Sequence, residues 1–275
     1  MKHVLVAGNG FVGQEVCRKF QKLGWRVSAL SRSGGNDVQA DISDLQSLER
    51  VAQSLGRVDV VVHCASAGGS GNYKAVYLDG AKNLIAAFPA AVCYFTSSTS
   101  VYPQTDGSVV DETSSTQQDR EGGQVLVAAE DVVLASGGIV LRLAGLYGRG
   151  RSYLLRKFMQ GEATMEEDGA RVLNHSHHED VADAVVFLCE NYPELRSEIF
   201  NVCDSYPLTQ LETYTALSTM FSKPMPDSVL RNLNSKRGWS HKAVSNAKLR
   251  DLGWEPKHPR FVDAAESVAE SLGLL

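Results

Sequence analysis

The chain holds 275 residues, 43% of them hydrophobic and 21% charged. That is ordinary globular composition, which fits one large α/β domain or a nucleotide-binding domain with a smaller lobe, and it excludes a disordered chain. A net charge of −5 leaves no cationic footprint for nucleic acid or an anionic membrane surface.

Val4–Ala7 is a short apolar run that ends at Gly8. Val12, Val16, Phe20 and Leu23 then recur at helical spacing over Phe11–Leu23. Arg26–Leu30 reads as the next strand. Ser43 followed by Gln46 reads as a capping box, opening a helix with Leu45, Leu48, Val51 and Leu55 on one face. Val58–Cys64 is nearly all apolar, the pattern of a strand covered on both faces. A helix is expected over Tyr73–Phe88, a strand over Val92–Thr96, a helix near Gln124–Ala135 and a strand over Gly138–Leu143. Strands alternating with helices of this length predict right-handed βαβ units and a parallel sheet.

After Tyr147 the alternation loosens. A helix near Tyr153–Met159, a strand near Ala170–Leu173, a helix over Asp180–Asn191 and a strand over Ile199–Val202 are expected. A Thr209/Glu212 capping box then opens a helix, Pro224 and Pro226 mark a loop, and the last helix lies near Val262–Leu272. The expected organisation is a dinucleotide-binding domain over 1–150, with contributions from about 174–205. A smaller, partly interleaved substrate-side α/β lobe covers 151–275.

The five cysteines (17, 64, 93, 189 and 203) are odd in number and lack a Cys-x-x-Cys pair. They read as small core residues in a reducing compartment. Met1 runs directly into a strand-like segment, and no apolar run approaches the roughly 20 residues of a membrane span. A cytoplasmic location without a membrane or nucleic-acid partner is the expectation.

Gly8-Asn9-Gly10-Phe11-Val12-Gly13 is a G-x-G-x-x-G placed directly after a strand and before a helix. The first glycine permits the tight turn, the second lets backbone approach a diphosphate, and the third lets the helix pack on the strand. N–H groups and the positive helix end then face the anion. At the end of the second strand stands Ser31-Arg32-Ser33, where a binder of unphosphorylated dinucleotide would place an acid on the ribose 2′-hydroxyl. The Arg32 guanidinium matches a 2′-phosphate instead, with Ser31 and Ser33 as hydroxyl donors, so NADP(H) is favoured over NAD(H).

Several segments together resemble the extended short-chain dehydrogenase/reductase superfamily, the NAD-dependent epimerase/dehydratase group. These are Asp41-Ile42, His63-Cys64-Ala65-Ser66-Ala67, Phe95-Thr96-Ser97-Ser98 through Tyr102, Leu141–Gly148, His175–Ala182, Val244–Leu249 and Leu252-Gly253-Trp254. The resemblance implies a Rossmann-type, doubly wound parallel sheet with a smaller C-terminal α/β lobe. It implies adenine contact at Asp41 and Ile42, and cofactor contacts at Cys64, Ala65, Ser66, Thr96, Ser97 and Leu143. It makes Ser98 the match of the family's catalytic Ser/Thr. It also implies a small polar substrate, with nucleotide sugars as the class by analogy. Family members often pair through helices such as 73–88 and 124–135, so a monomer or a homodimer is expected.

The departure from the family lies in its Tyr-x-x-x-Lys pair. Between Pro103 and Leu146 there is no tyrosine and no lysine. Counting back from Glu130, the two places fall at Gly122 and Leu126, which cannot move a proton. Tyr77, where the family usually has an asparagine, is one candidate phenol; within a Tyr73/Tyr77/Leu84 stripe it also reads as packing. Tyr102 and Tyr147 belong to motifs whose tyrosine is not the proton donor.

His175-Ser-His-His-Glu-Asp180 reads as the opening of a helix rather than a metal site, because histidines at these offsets do not share one helix face and no partner pattern stands elsewhere. His175 is a candidate for lining the substrate pocket. Lys236, Arg237 and Lys242 read as solvated charge, and as the first residues to test if the substrate bears phosphate. Two functions stay open: an NAD(P)-linked hydride-transfer enzyme with a non-standard acid/base, and a non-catalytic NADP(H)-binding sensor or regulator.

Overall fold

His3–Ala7, the first strand, is buried at every residue, as a strand with helices on both faces must be. The computed structural model describes residues 1–34, 38–68, 72–117, 119–231 and 239–275. In chain order the first elements are β1 (His3–Ala7), α1 (Gly13–Lys22), β2 (Arg26–Ser31), β3 (Val38–Gln39), α2 (Leu45–Leu55) and β4 (Val60–His63). A π-helical turn over Lys74–Asp79 runs into α3 (Gly80–Ala87), followed by β5 (Val92–Ser98), β6 (Val109–Val110), α4 (Glu121–Ala135) and β7 (Ile139–Leu143). Next come β8 (Gly145–Tyr147), α5 (Tyr153–Met159), β9 (Thr164–Glu166), β10 (Val172–Leu173), β11 (His175–His177), α6 (His178–Asn191) and β12 (Glu198–Val202). The chain closes with β13 (Leu208–Thr209), α7 (Gln210–Phe221), β14 (Asp227–Val229), β15 (Ala243–Val244), α8 (Ala247–Asp251), a 3-10 turn over Phe261–Ala264 and α9 (Ala265–Ser271).

Seven strands form one parallel sheet in the order β12-β7-β5-β4-β1-β2-β3. The order runs outward from β1 in both directions, which is the doubly wound arrangement the alternation of elements predicts. In the sheet's register, Ala7 lies opposite Leu30 on one side and His63 on the other, so β1, β2 and β4 end level. The ladder runs one residue further, with Gly8 N–H donating to the Leu30 carbonyl at 2.9 Å and Cys64 N–H to the Ala7 carbonyl at 2.8 Å.

Two compact units divide the chain. The first comprises Met1–Val101, Thr116–Arg142 and Val181–Phe200. Its core includes Leu5, Ala7, Leu30, Leu48, Val61 and Leu84, which join the sheet to α2 and α3. The second comprises Tyr102–Ser115, Leu143–Asp180 and Asn201–Leu275. Four short strand pairs lie in it: β6 with β15, β8 with β11, β9 with β14, and β10 with β13. Its core gathers Tyr147, Leu155, Phe158, Tyr214, Leu217 and Phe261.

Two local expectations need correction. α2 is capped by Asp44, whose carboxylate accepts the Gln46 N–H at 3.0 Å, and not by Ser43. The Ser43 hydroxyl instead donates to Asp41 at 2.7 Å, since a neighbouring carboxylate is a stronger acceptor than a helix end is a donor for it. The helix expected over Tyr73–Phe88 opens as a π turn before becoming α-helical at Gly80. The Thr209/Glu212 box is present as read, with Thr209 Oγ1 accepting the Glu212 N–H at 3.2 Å and Glu212 Oε2 accepting the Thr209 N–H at 2.8 Å. Among the described residues no helix is long and apolar enough to cross a membrane.

Candidate functional site

The glycine turn occupies the carboxyl end of β1 and the start of α1, and each glycine has a different reason. Gly8 has φ 103°, and a Cβ there would overlap the backbone of Cys64 and Ala65 at the end of β4. Only glycine therefore lets the β1 and β4 ends come together. A Cβ on Gly13 would overlap the Gly8 carbonyl, so the third glycine lets the first turn of α1 sit on the strand end. Gly10 differs: among the described residues nothing beyond its chain neighbours lies within 4 Å of a Cβ built on it. Packing among those residues does not require a glycine there, and the open space suits backbone that must approach a phosphate group. The N-cap residue of α1 is Val12, whose apolar side chain makes no capping hydrogen bond, which suits an anion at the helix's positive end. Asn9 and Phe11 are partly exposed along this rim, and Val12 is buried beneath it. The residues present thus fit a dinucleotide's diphosphate.

At the end of β2, Arg32 and Ser33 are exposed, and the Ser31 hydroxyl donates to the Gly34 carbonyl at 3.2 Å. The Asp41 carboxylate accepts both the hydroxyl and the N–H of Ser43, which hold it below the usual aspartate range, with the Arg32 charge adding to the effect. Ile42 is buried in the core, its carbonyl accepting from the Asn83 side chain at 3.0 Å. Beside the glycine turn, Ala65 is partly exposed and Ser66 exposed. Burial pushes the Cys64 thiol up to about 12, which makes it a poor nucleophile. Cys93 and Cys189 are raised to the same level by burial, and all five cysteines are free thiols.

The hydroxyls of the three residues that end β5 have three different partners. The Thr96 hydroxyl donates to the His63 carbonyl at 3.0 Å, tying β5 to β4. The Ser97 hydroxyl is buried and donates to Glu130 Oε1 at 2.5 Å, so backbone is what Ser97 has to offer a ligand. Glu130 in α4 is in turn bound by Arg142 of β7, whose Nη2 lies 2.6 Å from Oε2, with both side chains buried. This charge network fixes α4 against the strand that carries Ser98. Ser98 is partly buried, and its hydroxyl oxygen accepts the Ser100 N–H at 3.1 Å. With that lone pair engaged, its O–H is set to donate.

Gly122, the place counted back for the missing tyrosine, lies under an aromatic ring. A Cβ on Gly122 would stand 3.7 Å from Cδ1 and Cε1 of Tyr73. The Tyr73 ring is 4.8 Å from that of Tyr77, and Tyr77 stands edge-on to Phe95 of β5 at 6.3 Å. Tyr73 is 41% exposed and Tyr77 half-buried. Burial, then Tyr73, pushes the Tyr77 phenol up, against the pull of the Ala67 N–H. Tyr73 was legible only as one member of an apolar stripe. The signal that would have found it is the pair of small residues Gly122 and Gly123 at the start of α4, which leaves room over that helix for a large ring. Leu126, counted back for the lysine, is 2% exposed and lies in the core.

In the second unit several expectations change. Lys242 is not solvated: it is buried, and its ammonium donates to the Tyr102 carbonyl at 2.8 Å. Lys236 and Arg237 lie outside the described residues. A cavity of about 190 Å³ is lined by residues that include Glu166, Glu167, Arg171, Arg231 and Trp239. Both arginines are paired, Arg171 with Glu166 at 2.8 Å and Arg231 with Glu167 at 2.9 Å, and Asp168 adds a third carboxylate to the lining, so the pocket is not built for phosphate. Tyr102 is fully buried and donates to Asn201 Oδ1 at 2.9 Å, a packing role. His175 is buried, its ring stacked on Phe261 at 4.3 Å, and burial pulls it down to about 4. Leu143 is buried at the end of β7. His177 is not without partners from elsewhere in the sequence: the fold brings His258 against it.

The sheet order and the glycine turn define the class: a Rossmann-type, doubly wound α/β fold with the turn of dinucleotide binders. The chain belongs to the NAD-dependent epimerase/dehydratase family, whose profile matches residues 4–203. No protein of curated function matches it in sequence. Its fold is similar to that of UDP-glucose 4-epimerase from Thermus thermophilus in complex with NAD, with a TM-score of 0.81, 19% identity and 99% of each chain covered. UDP-glucose 4-epimerase from Thermotoga maritima with UDP-glucose gives a TM-score of 0.82 at 19% identity, covering 99% of each chain. dTDP-glucose 4,6-dehydratase from Bacillus anthracis str. Ames with NAD gives 0.81 at 17%, covering 98% of this chain and 97% of the other. At these identities the likeness is one of fold.

Proposed function

We propose that this chain is a cytoplasmic, NADP(H)-linked oxidoreductase of the epimerase or dehydratase kind, in which the Tyr73–Tyr77 pair replaces the family's tyrosine and lysine. The carrying observation is the Tyr73 ring seated over Gly122. A phenol arriving from the turn before α3 takes up the space left by a phenol missing from α4. Small polar substrates are the expected class, nucleotide sugars first. Small-molecule binding of that class is what the Thermotoga neighbour's UDP-glucose supports by analogy. A monomer or a homodimer suits the reading.

A nicotinamide dinucleotide, when bound, accepts and returns a hydride. Gly8, Gly10 and Gly13 with the α1 terminus would hold its diphosphate, and Arg32 a 2′-phosphate. Ser98 donates its hydroxyl proton toward the reacting oxygen. The tyrosine pair takes or returns that oxygen's proton, Tyr73 being the more exposed member. Leu126 supplies no charge to lower a phenol's pKa, and Tyr77 is held above the ordinary phenol value. Turnover that needs phenolate as base should therefore climb with pH through the alkaline range.

The test is hydride transfer from labelled NADPH to a panel of carbonyl compounds, and from labelled nucleotide sugars to NADP⁺. Tyr73→Phe and Ser98→Ala should each lower kcat by about 10²–10⁴-fold while NADPH affinity stays within a few-fold. Full activity in Tyr73→Phe would refute the tyrosine pair. The buried Leu126 favours a second reading, a non-catalytic NADP(H)-binding sensor, and firm binding without turnover on any substrate would establish it.

A further inference from the structure

Three donor groups from two stretches of chain converge in the second unit, apart from the glycine turn. His177 ends β11, Glu179 stands in the first turn of α6, and His258 lies in the loop before the 3-10 turn Phe261–Ala264. One ligand atom from each lies within 4.8 Å of the other two. The two imidazoles are 3.7 Å apart between centroids and tilted by 39°, closer than a water layer allows.

The surrounding structure holds these groups in place. Asp180 is buried, and its two carboxylate oxygens accept the N–H groups of Lys257 at 2.9 Å and His258 at 3.0 Å. That pins the His258 backbone to the start of α6. The Glu179 N–H approaches His177 Nδ1 at 3.4 Å, a long contact that keeps this edge of the ring beside the turn carrying Glu179 and is given up where Nδ1 is the nitrogen that binds an ion. Gly148 has φ 145°, and a Cβ there would overlap the His178 ring and come 3.0 Å from His177 Nε2. A glycine at 148 is therefore what gives the histidines their room.

Two neutral imidazoles and a carboxylate make an N₂O donor set, which suits borderline divalent ions better than calcium or magnesium, whose ligands are oxygens. Zinc bonds of about 2.0–2.2 Å place tetrahedral donors roughly 3.4 Å apart, inside the 4.8 Å within which the three donors already lie. We propose that His177, Glu179 and His258 bind one zinc-class divalent ion, with water completing its shell, and that the ion ties the His258 loop to the turn entering α6. The site does not rest on the nicotinamide reading, and neither cofactor nor substrate is needed to test it.

Tag-free protein is stripped with chelator and titrated with Co²⁺, followed by its visible d–d bands, and with Zn²⁺ by calorimetry. One equivalent should bind, with the intense bands of a four- or five-coordinate centre, and the melting temperature should rise with Zn²⁺ and fall back with chelator. Losing a ligand should exceed the roughly 10–100-fold typical of losing a group that only orients one, so His258→Ala should weaken binding by about 100-fold or more. Glu179→Gln, which keeps the residue's shape, should weaken it less and shift the bands. Each variant should melt like the stripped wild type, which separates loss of a ligand from loss of fold. Wild-type binding weaker than millimolar overturns the proposal. So does undiminished binding in both variants.

Discussion

Arg32 stands exposed at the end of β2, close enough to Asp41 to help hold that carboxyl low. Removing its charge should weaken NADPH far more than NADH, because only NADPH carries the 2′-phosphate a guanidinium grips. Arg32→Ala is expected to raise the NADPH Kd by about tenfold or more, about 1.4 kcal/mol, and to leave NADH nearly unchanged; equal losses in calorimetry would sink the assignment. Glu130 is a second single-residue test. Its loss strands the Arg142 guanidinium, 3% exposed, without its carboxylate. Glu130→Ala should cost about 3–5 kcal/mol in urea unfolding. Glu130→Leu with Arg142→Met should recover most of that, since removing both charges leaves only the neutral Ser97 hydroxyl short of an acceptor.

At the scale of elements, the α7 cap is the cleanest case. Thr209 and Glu212 satisfy each other's backbone N–H groups, and those bonds hold the Glu212 carboxyl below its usual range. Thr209→Ala should destabilise by about 1 kcal/mol and lower Tm by about 2–4 °C, measured by calorimetry. A shift below half a degree would mean the cap is idle. α2 shows where such readings slip: the box at Ser43 is one residue early, because Asp41 holds the Ser43 hydroxyl and Asp44 takes over as cap. Periodicity locates the helix, whereas hydrogen-bond competition between near neighbours chooses its first residue. The π turn over Lys74–Asp79 is a larger instance. Its apolar spacing reads as α-helix, and nothing local records the wider winding that begins right after Tyr73.

For the whole molecule, pH dependence follows from a histidine buried in the main sheet. His63 ends β4, its Nε2–H donating to the Val76 carbonyl at 3.1 Å, and burial pulls it down to about 4. The unfolded chain takes up a proton there near pH 6.5, while the folded chain resists until about 4. Its contribution is thus fully present above pH 6.5 and lost progressively as pH falls toward 4, up to roughly 3 kcal/mol by linkage. His63→Phe should remove its share of that acid limb in urea melts at pH 7, 5.5 and 4, leaving the share of His175, which burial pulls down as far. An unchanged slope would rule His63 out as its source.

What the amino-acid order determined by itself is local and repetitive: alternating strands and helices, the glycine turn between β1 and α1, the Thr209 cap, and the family resemblance, which the profile match over residues 4–203 bears out. Those features arise from chain-adjacent spacing, and short-range sterics and burial suffice to produce them. Tertiary structure decided the rest. Lys242, read as surface charge, is drawn inside to the Tyr102 carbonyl, 140 positions away. Tyr73 comes to cover Gly122, and His258 comes to meet His177. Each of these joins groups far apart in the chain, and their meeting depends on how packed elements set distance and direction, which residue spacing does not encode.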